Sequence, residues 1–388
     1  MGTITSEAWV LYAGSGRQDS KPASLVKESF SFPDITENEI LVEPLFGSWE
    51  GNMDHALKRQ PVDICRLRRE PKVVIGNAGV LRVLRAGPAV TKVKPGDLCV
   101  AFAALWDKLG FMGQGQAWGY DAPGTIGMLI KQNKLKESQV VPLPRNTRHP
   151  LQAWAAFAIR YFTAYNNWNV AYRCFRLQMS EQDCPAPWVW GWGGGTTLAE
   201  LELAGLVGCR TAMMSSLPER LRYIAERGIL PIDRRLFPDL NYDGERYRND
   251  PSYTKAYDES ERAFLDLVKE HTGGDGVSIF VDYIGTPVSL ATQRALGRQG
   301  VITSAGWKGG MMITHMRAIE CINRHTHVNT HYARLCDGPP AVEFAELYGW
   351  VPKVSDKVWS WDEIPALAEA YGAGHIFDYF PIYQVNPL

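Results

Sequence analysis

Val189-Trp190-Gly191-Trp192-Gly193-Gly194-Gly195-Thr196-Thr197-Leu198-Ala199-Glu200-Leu201 is the stretch on which the reading of this chain turns. An apolar run enters a glycine-rich turn and leaves it as text with helical spacing. Glycines let backbone amides approach a pyrophosphate closely, and the first turn of a helix adds partial positive charge. Strand, turn and helix in this order therefore predict a dinucleotide site, with Gly191, Gly193, Gly194, Gly195 and Thr197 as its cofactor-binding positions. A plain strand-to-helix turn is the other reading, and context decides between them. A second apolar strand, Thr211-Ala212-Met213-Met214, follows about twenty residues on, where a ribose would be read. It ends in Ser215-Ser216-Leu217-Pro218-Glu219-Arg220, which lacks the acidic residue that binds a 2′-hydroxyl. Ser215, Ser216 and Arg220 suit a 2′-phosphate instead, so the expected cofactor is NADPH.

Outward from the turn, strand and helix alternate. Leu198 to Leu206 and Pro218 to Arg227 read as helices, and Val277 to Asp282 and Gly300 to Ala305 as buried strands. This rhythm predicts a doubly wound parallel sheet. Residues 236–262 interrupt it with a polar, tyrosine-rich stretch that reads as a surface insertion. Upstream, residues 25–145 are short apolar strands broken by Gly, Pro and Asp, which is barrel-like material. Gln152 to Tyr172 has helical spacing, and Val351 to Leu388 returns to short strands that rejoin the first domain. The expected organisation is α/β: residues 1–160 as a first domain, 161–335 as the cofactor domain with the 236–262 insertion, and 336–388 returning to the first.

Composition limits the alternatives. In 388 residues, 41 basic and 42 acidic side chains leave a net charge of −1, so no broad positive field exists for nucleic acid or anionic lipid. No run approaches the roughly 18 apolar residues that span a bilayer, and the opening residues carry no export signal. The expected location is the cytoplasm. The seven cysteines are odd in number and scattered, with no Cys-x-x-Cys pair, which fits reduced thiols. Thirteen Trp and sixteen Tyr point equally to a flat-walled pocket and to ordinary core packing.

The chain resembles the medium-chain dehydrogenase/reductase superfamily, in which a GroES-like β-barrel substrate domain is split around a Rossmann domain. The resemblance rests on Val93-Lys94-Pro95-Gly96-Asp97, Phe162-Thr163-Ala164-Tyr165 and Val281-Asp282-Tyr283-Ile284-Gly285, in that order around the glycine turn. Within the superfamily it is most similar to the crotonyl-CoA carboxylase/reductase-like branch of enoyl-thioester reductases. Phe46-Gly47-Ser48-Trp49, Ala117-Trp118-Gly119-Tyr120-Asp121 and Asn329-Thr330-His331-Tyr332-Ala333 carry that likeness. Where zinc members of the superfamily have a Cys and a Gly-His-Glu run, this chain has Gly47 to His55 without Cys, and Gly76-Asn77-Ala78. No metal is expected, which removes the Lewis acid of alcohol oxidation.

What the resemblance implies is an NADPH-dependent, zinc-independent reductase of an activated double bond, most simply a 2-enoyl thioester of CoA or a carrier protein. Hydride adds to the β-carbon, and His331, oriented by Asp121, protonates the α-carbon while Tyr120 shapes the pocket. Thr163 is placed near the nicotinamide. Arg66, Arg68 and Arg69 are candidates for a nucleotide handle, and a homodimer through the Rossmann edge strands is the expected assembly. A carbonyl or imine reductase is the alternative enzyme. A non-catalytic protein on the same scaffold is the other, supported by Trp192 as a bulky ring inside the phosphate loop and by Thr197 at a position usually glycine.

Overall fold

The computed structural model describes residues 2–15, 23–102, 104–105, 116–306, 309–310, 312, 314–330 and 335–388. Contacts divide the chain into two units, Met1–Phe162 with Arg334–Leu388, and Thr163–Ala333.

The second unit holds the glycine turn. Its elements are β1 (Trp188–Trp192), α1 (Gly195–Leu206), β2 (Arg210–Ser215), α2 (Pro218–Glu226), β3 (Leu230–Asp233), α3 (Gly244–Asn249), α4 (Pro251–Thr272), β4 (Val277–Asp282), α5 (Thr286–Ala295), β5 (Leu296–Ser304) and β6 (His327–Thr330). The sheet runs β3-β2-β1-β4-β5-β6 with every pairing parallel. Strand order reverses between β1 and β4, and ligands of such sheets bind beyond the carboxyl ends of the strands at that point. The doubly wound sheet expected from the alternating text is the one observed.

Residues 236–262 correct the expectation of a polar surface insertion. They form α3 and the first half of α4, and together these cross from β3 to β4. Phe237, Leu240 and Tyr257 are buried in one cluster with Phe264, Trp190 and Trp192. Tyrosines at 247 and 257 sit edge-on to one another, 5.6 Å between ring centroids, so what reads as a polar stretch is the aromatic underside of a crossover helix. Asp250 starts α4 by accepting the amides of Ser252 and Tyr253, with Pro251 in the first turn, and the helix stops at Gly273.

The first unit is built on the strand Glu39–Ser48. It pairs antiparallel with Gly79–Ala86, Asn133–Lys136 and Ile382–Gln384. The sheet continues through Leu98–Ala101 and Val140–Pro142 on one side and Val358–Trp359 on the other. Alternation along these strands turns Ile40, Val42, Leu81 and Val83 into one core together with Trp118 and Met128. The last strand brings the chain's end beside Phe46, Gly47 and Ser48, with Tyr383 opposite Gly47.

Candidate functional sites

In the second unit, β1 delivers the chain to Gly193, whose φ of +149° lies where only glycine is at ease. A side chain here would also overlap the Thr197 hydroxyl, and one at Gly191 would stand 2.6 Å from the Thr197 methyl. The Thr197 side chain is therefore turned away from a cofactor. It is fully buried beneath the turn and donates its hydroxyl to the carbonyl of Trp192 at 3.2 Å. The methyl and hydroxyl occupy the space that the two glycines leave, which is why a residue larger than glycine is accommodated.

Trp192 likewise lies elsewhere than inside the phosphate loop. Its ring is 3% exposed and packs on Phe264 and Phe280, with centroids 4.9 and 5.2 Å away. Its Nε1 donates to Thr292 Oγ1 at 2.9 Å, and Thr292 donates on to Asp282 Oδ2 at 3.1 Å. The other oxygen of Asp282 accepts the amides of Ile284 and Gly285, both at 2.9 Å. Burial raises the Asp282 pKa against these stabilising bonds.

Gly194 is exposed, with no atom within 4 Å of where a side chain would project. It opens α1 with no side-chain cap, so the first amides of a 12-residue helix are left to a ligand or water. Gly191 and Gly195 are buried within the turn's frame. This donor set, backbone amides over open space at a strand's carboxyl end, fits a pyrophosphate. Ser215 ends β2 and accepts the Leu217 amide at 3.3 Å; Ser216 is exposed, and Arg220 is half-buried on α2. Glu219, between them in the chain, is exposed in the first turn of α2. Thr163 is half-buried near the start of the helix Arg160–Arg176.

Sequence reasoning missed a buried polar link under this turn. Glu200 on α1 is fully buried and accepts the Tyr283 hydroxyl at 2.6 Å, and that hydroxyl accepts Asn167 Nδ2 at 2.6 Å. Burial pushes the Glu200 pKa up to about 8. A lone acid inside Leu198-Ala199-Glu200-Leu201, at the spacing of the buried face, was the available signal.

In the first unit, Tyr120 and Asp121 lie on one turn. Asp121 Oδ1 accepts the Ala117 amide at 2.6 Å, and the Tyr120 carbonyl accepts Arg68 Nη1 at 3.2 Å. Burial raises the Tyr120 pKa, and the carboxylates of Glu50 and Asp121 raise it further. Arg68 is thereby removed from the candidates for a nucleotide handle, because its side chain is fully buried and paired with Glu70 at 2.9 Å. Arg66 and Arg69 are exposed. His331 lies outside the described residues.

A buried polar group that the motifs did not announce surrounds Ser48 to Glu50. Arg160 is 6% exposed and donates to Ser48 Oγ at 2.8 Å and to the Trp49 carbonyl at 2.5 Å. Glu50 starts the helix Gly51–Lys58 by accepting the amides of Asn52 and Met53, and burial raises its pKa while those bonds and Arg160 oppose the shift. An arginine inside the apolar run Ala153 to Phe162 was the visible sign. Among the described residues, no three His, Cys, Asp or Glu side chains gather in a way that could hold a metal ion.

No family model and no curated protein matches the chain. Solved structures do. The crotonyl-CoA carboxylase/reductase AntE in complex with NADP aligns with a TM-score of 0.79 at 18% identity, over 98% of this chain and 94% of that one. The 2-octenoyl-CoA carboxylase reductase CinF in complex with NADP and 2-octenoyl-CoA aligns at 0.78 and 19%, over 98% and 87%. A thermostable alcohol dehydrogenase from Pyrobaculum aerophilum aligns at 0.71 and 17%, over 98% and 100%. These likenesses establish the fold, a barrel-like domain split around a doubly wound nucleotide-binding type of sheet.

Proposed function

We propose that this chain, which has the fold of the medium-chain dehydrogenases and reductases, is an NADPH-dependent, zinc-independent reductase of an activated carbon–carbon double bond, most simply a 2-enoyl thioester. The observation that carries the reading is the uncapped start of α1 behind the open face of Gly194, at the point where strand order reverses. Support comes from the structural neighbours AntE and CinF, named as NADP complexes of enoyl-CoA carboxylase/reductases.

In this reading the amides of the turn take the pyrophosphate, and Ser215, Ser216 and Arg220 take the 2′-phosphate. Thr163 fixes the ribose or the carboxamide. When bound, NADPH supplies the hydride that adds to the β-carbon. The chain's own task is to orient the alkene, exclude water and return a proton to the α-carbon. The proton is assigned to His331, oriented by Asp121, with Tyr120 shaping the pocket. A homodimer in the cytoplasm belongs to the same reading.

The test is a fluorescence titration of metal-stripped protein with NADPH and NADH, followed by crotonyl-CoA. Tighter binding of NADPH and its oxidation on adding the thioester is the expected result. Binding without turnover moves the search to carbonyl and imine substrates. Failure to bind either nucleotide removes the oxidoreductase reading.

A further inference from the structure

Asn77, Tyr383 and Trp49 in the first unit bury polar atoms that find no hydrogen-bond partner among the described residues. Asn77 is 1% exposed, and both its Nδ2 and its Oδ1 lack a partner. Tyr383 is fully buried, and its hydroxyl lacks one too, as does Nε1 of the buried Trp49. They belong to one place. The rings of Trp49 and Tyr383 meet edge-on at 6.4 Å, and the Ser48 amide donates to the Ala78 carbonyl at 3.1 Å, joining the loop that carries Trp49 to the one that carries Asn77. The Tyr383 ring lies over Gly47, where any side chain would overlap it, and its hydroxyl comes within 3.3 Å of the position a side chain at Gly76 would take. Two glycines thus make room for a phenol with no hydrogen-bond partner among the described residues.

Leaving a buried polar atom unpaired costs about 1–3 kcal/mol, and native structures rarely carry several in one place without a ligand or an ordered water to answer them. The group offers three donors, Trp49 Nε1, Asn77 Nδ2 and the Tyr383 hydroxyl, beside one acceptor, Asn77 Oδ1. Burial, and next the Glu50 carboxylate, raise the Tyr383 pKa, so the phenol keeps its proton. Asn77 adds an amide N–H, and neither residue brings a charge. Uncharged donors on neighbouring segments of one buried region suit an oxygen that becomes negative during reaction.

We infer that Asn77 and Tyr383 bind the carbonyl oxygen of the acyl substrate and hold it as enolate charge develops. The inference rests on the reductase reading above and adds to it the residues that activate the alkene. It also explains why Tyr383 is a tyrosine: a phenylalanine would fill the same space over Gly47 without the unpaired hydroxyl.

The experiment uses Tyr383→Phe and Asn77→Leu in the full chain. Removing unpaired buried polar atoms does not cost stability, so melting temperature and NADPH affinity are expected to stay or rise. The expected kinetic result is a fall in kcat/KM for crotonyl-CoA of about tenfold or more in each variant, the size of one lost hydrogen bond to a developing charge. A kcat/KM within about twofold of wild type, as a buried water alone would give, overturns the inference. So does a fall in melting temperature and NADPH affinity together, which would mark both residues as structural. Should wild type bind NADPH yet leave crotonyl-CoA unreduced, or bind no nucleotide, the reductase reading fails at that step. The assignment of Asn77 and Tyr383 is then decided by ligand-observed NMR with crotonamide, which carries the conjugated carbonyl alone. Binding to wild type that is lost in both variants supports the inference, and equal or absent binding overturns it.

Discussion

The phenolic hydroxyl of Tyr283 donates to Glu200 Oε2 at 2.6 Å, and by also accepting Asn167 Nδ2 it ties the end of β4, the helix α1 and the helix Arg160–Arg176 through one oxygen. The second Glu200 oxygen has no hydrogen-bond partner among the described residues. Burial raises the pKa from an ordinary 4.5 to about 8 although the Tyr283 hydrogen bond lowers it, and the side chain is held as the neutral acid. The folded protein thus keeps a proton that the unfolded chain releases. The stabilisation this provides is complete below about pH 4.5 and is lost as pH rises through about 8. Unfolding free energy from urea melts is expected to fall by a few kcal/mol across that window on this account. Glu200→Gln keeps a neutral acceptor for Tyr283 and should flatten that part of the slope; equal slopes in the two proteins would refute the assignment.

Half-buried Gly193 and exposed Gly194 separate frame from ligand surface. Gly193→Ala places a methyl group into the Thr197 hydroxyl at a φ of +149°. It should lower the melting temperature and abolish measurable NADPH binding. Gly194→Ala meets no atom within 4 Å, so stability should change by less than about 0.5 kcal/mol. Its methyl nevertheless enters the space assigned to the pyrophosphate, and NADPH affinity should fall about tenfold, or about 1.4 kcal/mol. Calorimetric melts beside nucleotide titrations check both, and unaltered binding in Gly194→Ala would place the pyrophosphate elsewhere.

How much of this could be read beforehand depends on the range of the interaction. The parallel sheet was legible because strand and helix periods are local, and the glycine turn because a dinucleotide needs bare backbone there. The direction of Trp192 was also available: residues two apart on a strand share a face, so Trp190 and Trp192 enter the same cluster. The 236–262 stretch misled because charged residues on the outer face of α4 outnumber the buried Tyr257 and Phe264 in a linear reading. Tyr383 was beyond reach, since only the pairing of Ile382–Gln384 with the far earlier strand Glu39–Ser48 sets it over Gly47. Tyr283 lay inside a motif already singled out, but its partners Glu200 and Asn167 come from two other helices.

Trp192 and Thr197 test whether the departures from a glycine-only turn are structural. Thr197→Val keeps the shape under Gly191 and Gly193 and loses one hydrogen bond to the Trp192 carbonyl, a cost of about 1 kcal/mol. Thr197→Gly also empties the space beneath the turn and puts glycine inside α1, costing roughly 2 kcal/mol or more. Trp192→Phe retains an aromatic ring against Phe264 and Phe280 but gives up the bond to Thr292, for about 1–2 kcal/mol. Because Trp192 lies in the core, NADPH affinity in Trp192→Phe should remain within about threefold of wild type. A tenfold loss with little change in stability would return the ring to the cofactor site.

Cofactor choice turns on the end of β2. Ser215 Oγ accepts the Leu217 amide at 3.3 Å and keeps its own proton for a phosphate oxygen, beside exposed Ser216 and half-buried Arg220. A guanidinium on a phosphate at a half-exposed site is worth on the order of 1–2 kcal/mol, so Arg220→Ala should weaken NADPH about tenfold and leave NADH unchanged. Ser216→Asp adds a carboxylate that repels the 2′-phosphate and accepts from a free ribose hydroxyl, which should invert the preference. The ratio of the two dissociation constants, taken at fixed ionic strength because the contact is screened, is the measurement. A ratio that moves in neither variant would separate the 2′-phosphate from this strand end and send the search for its cation to another part of the second unit.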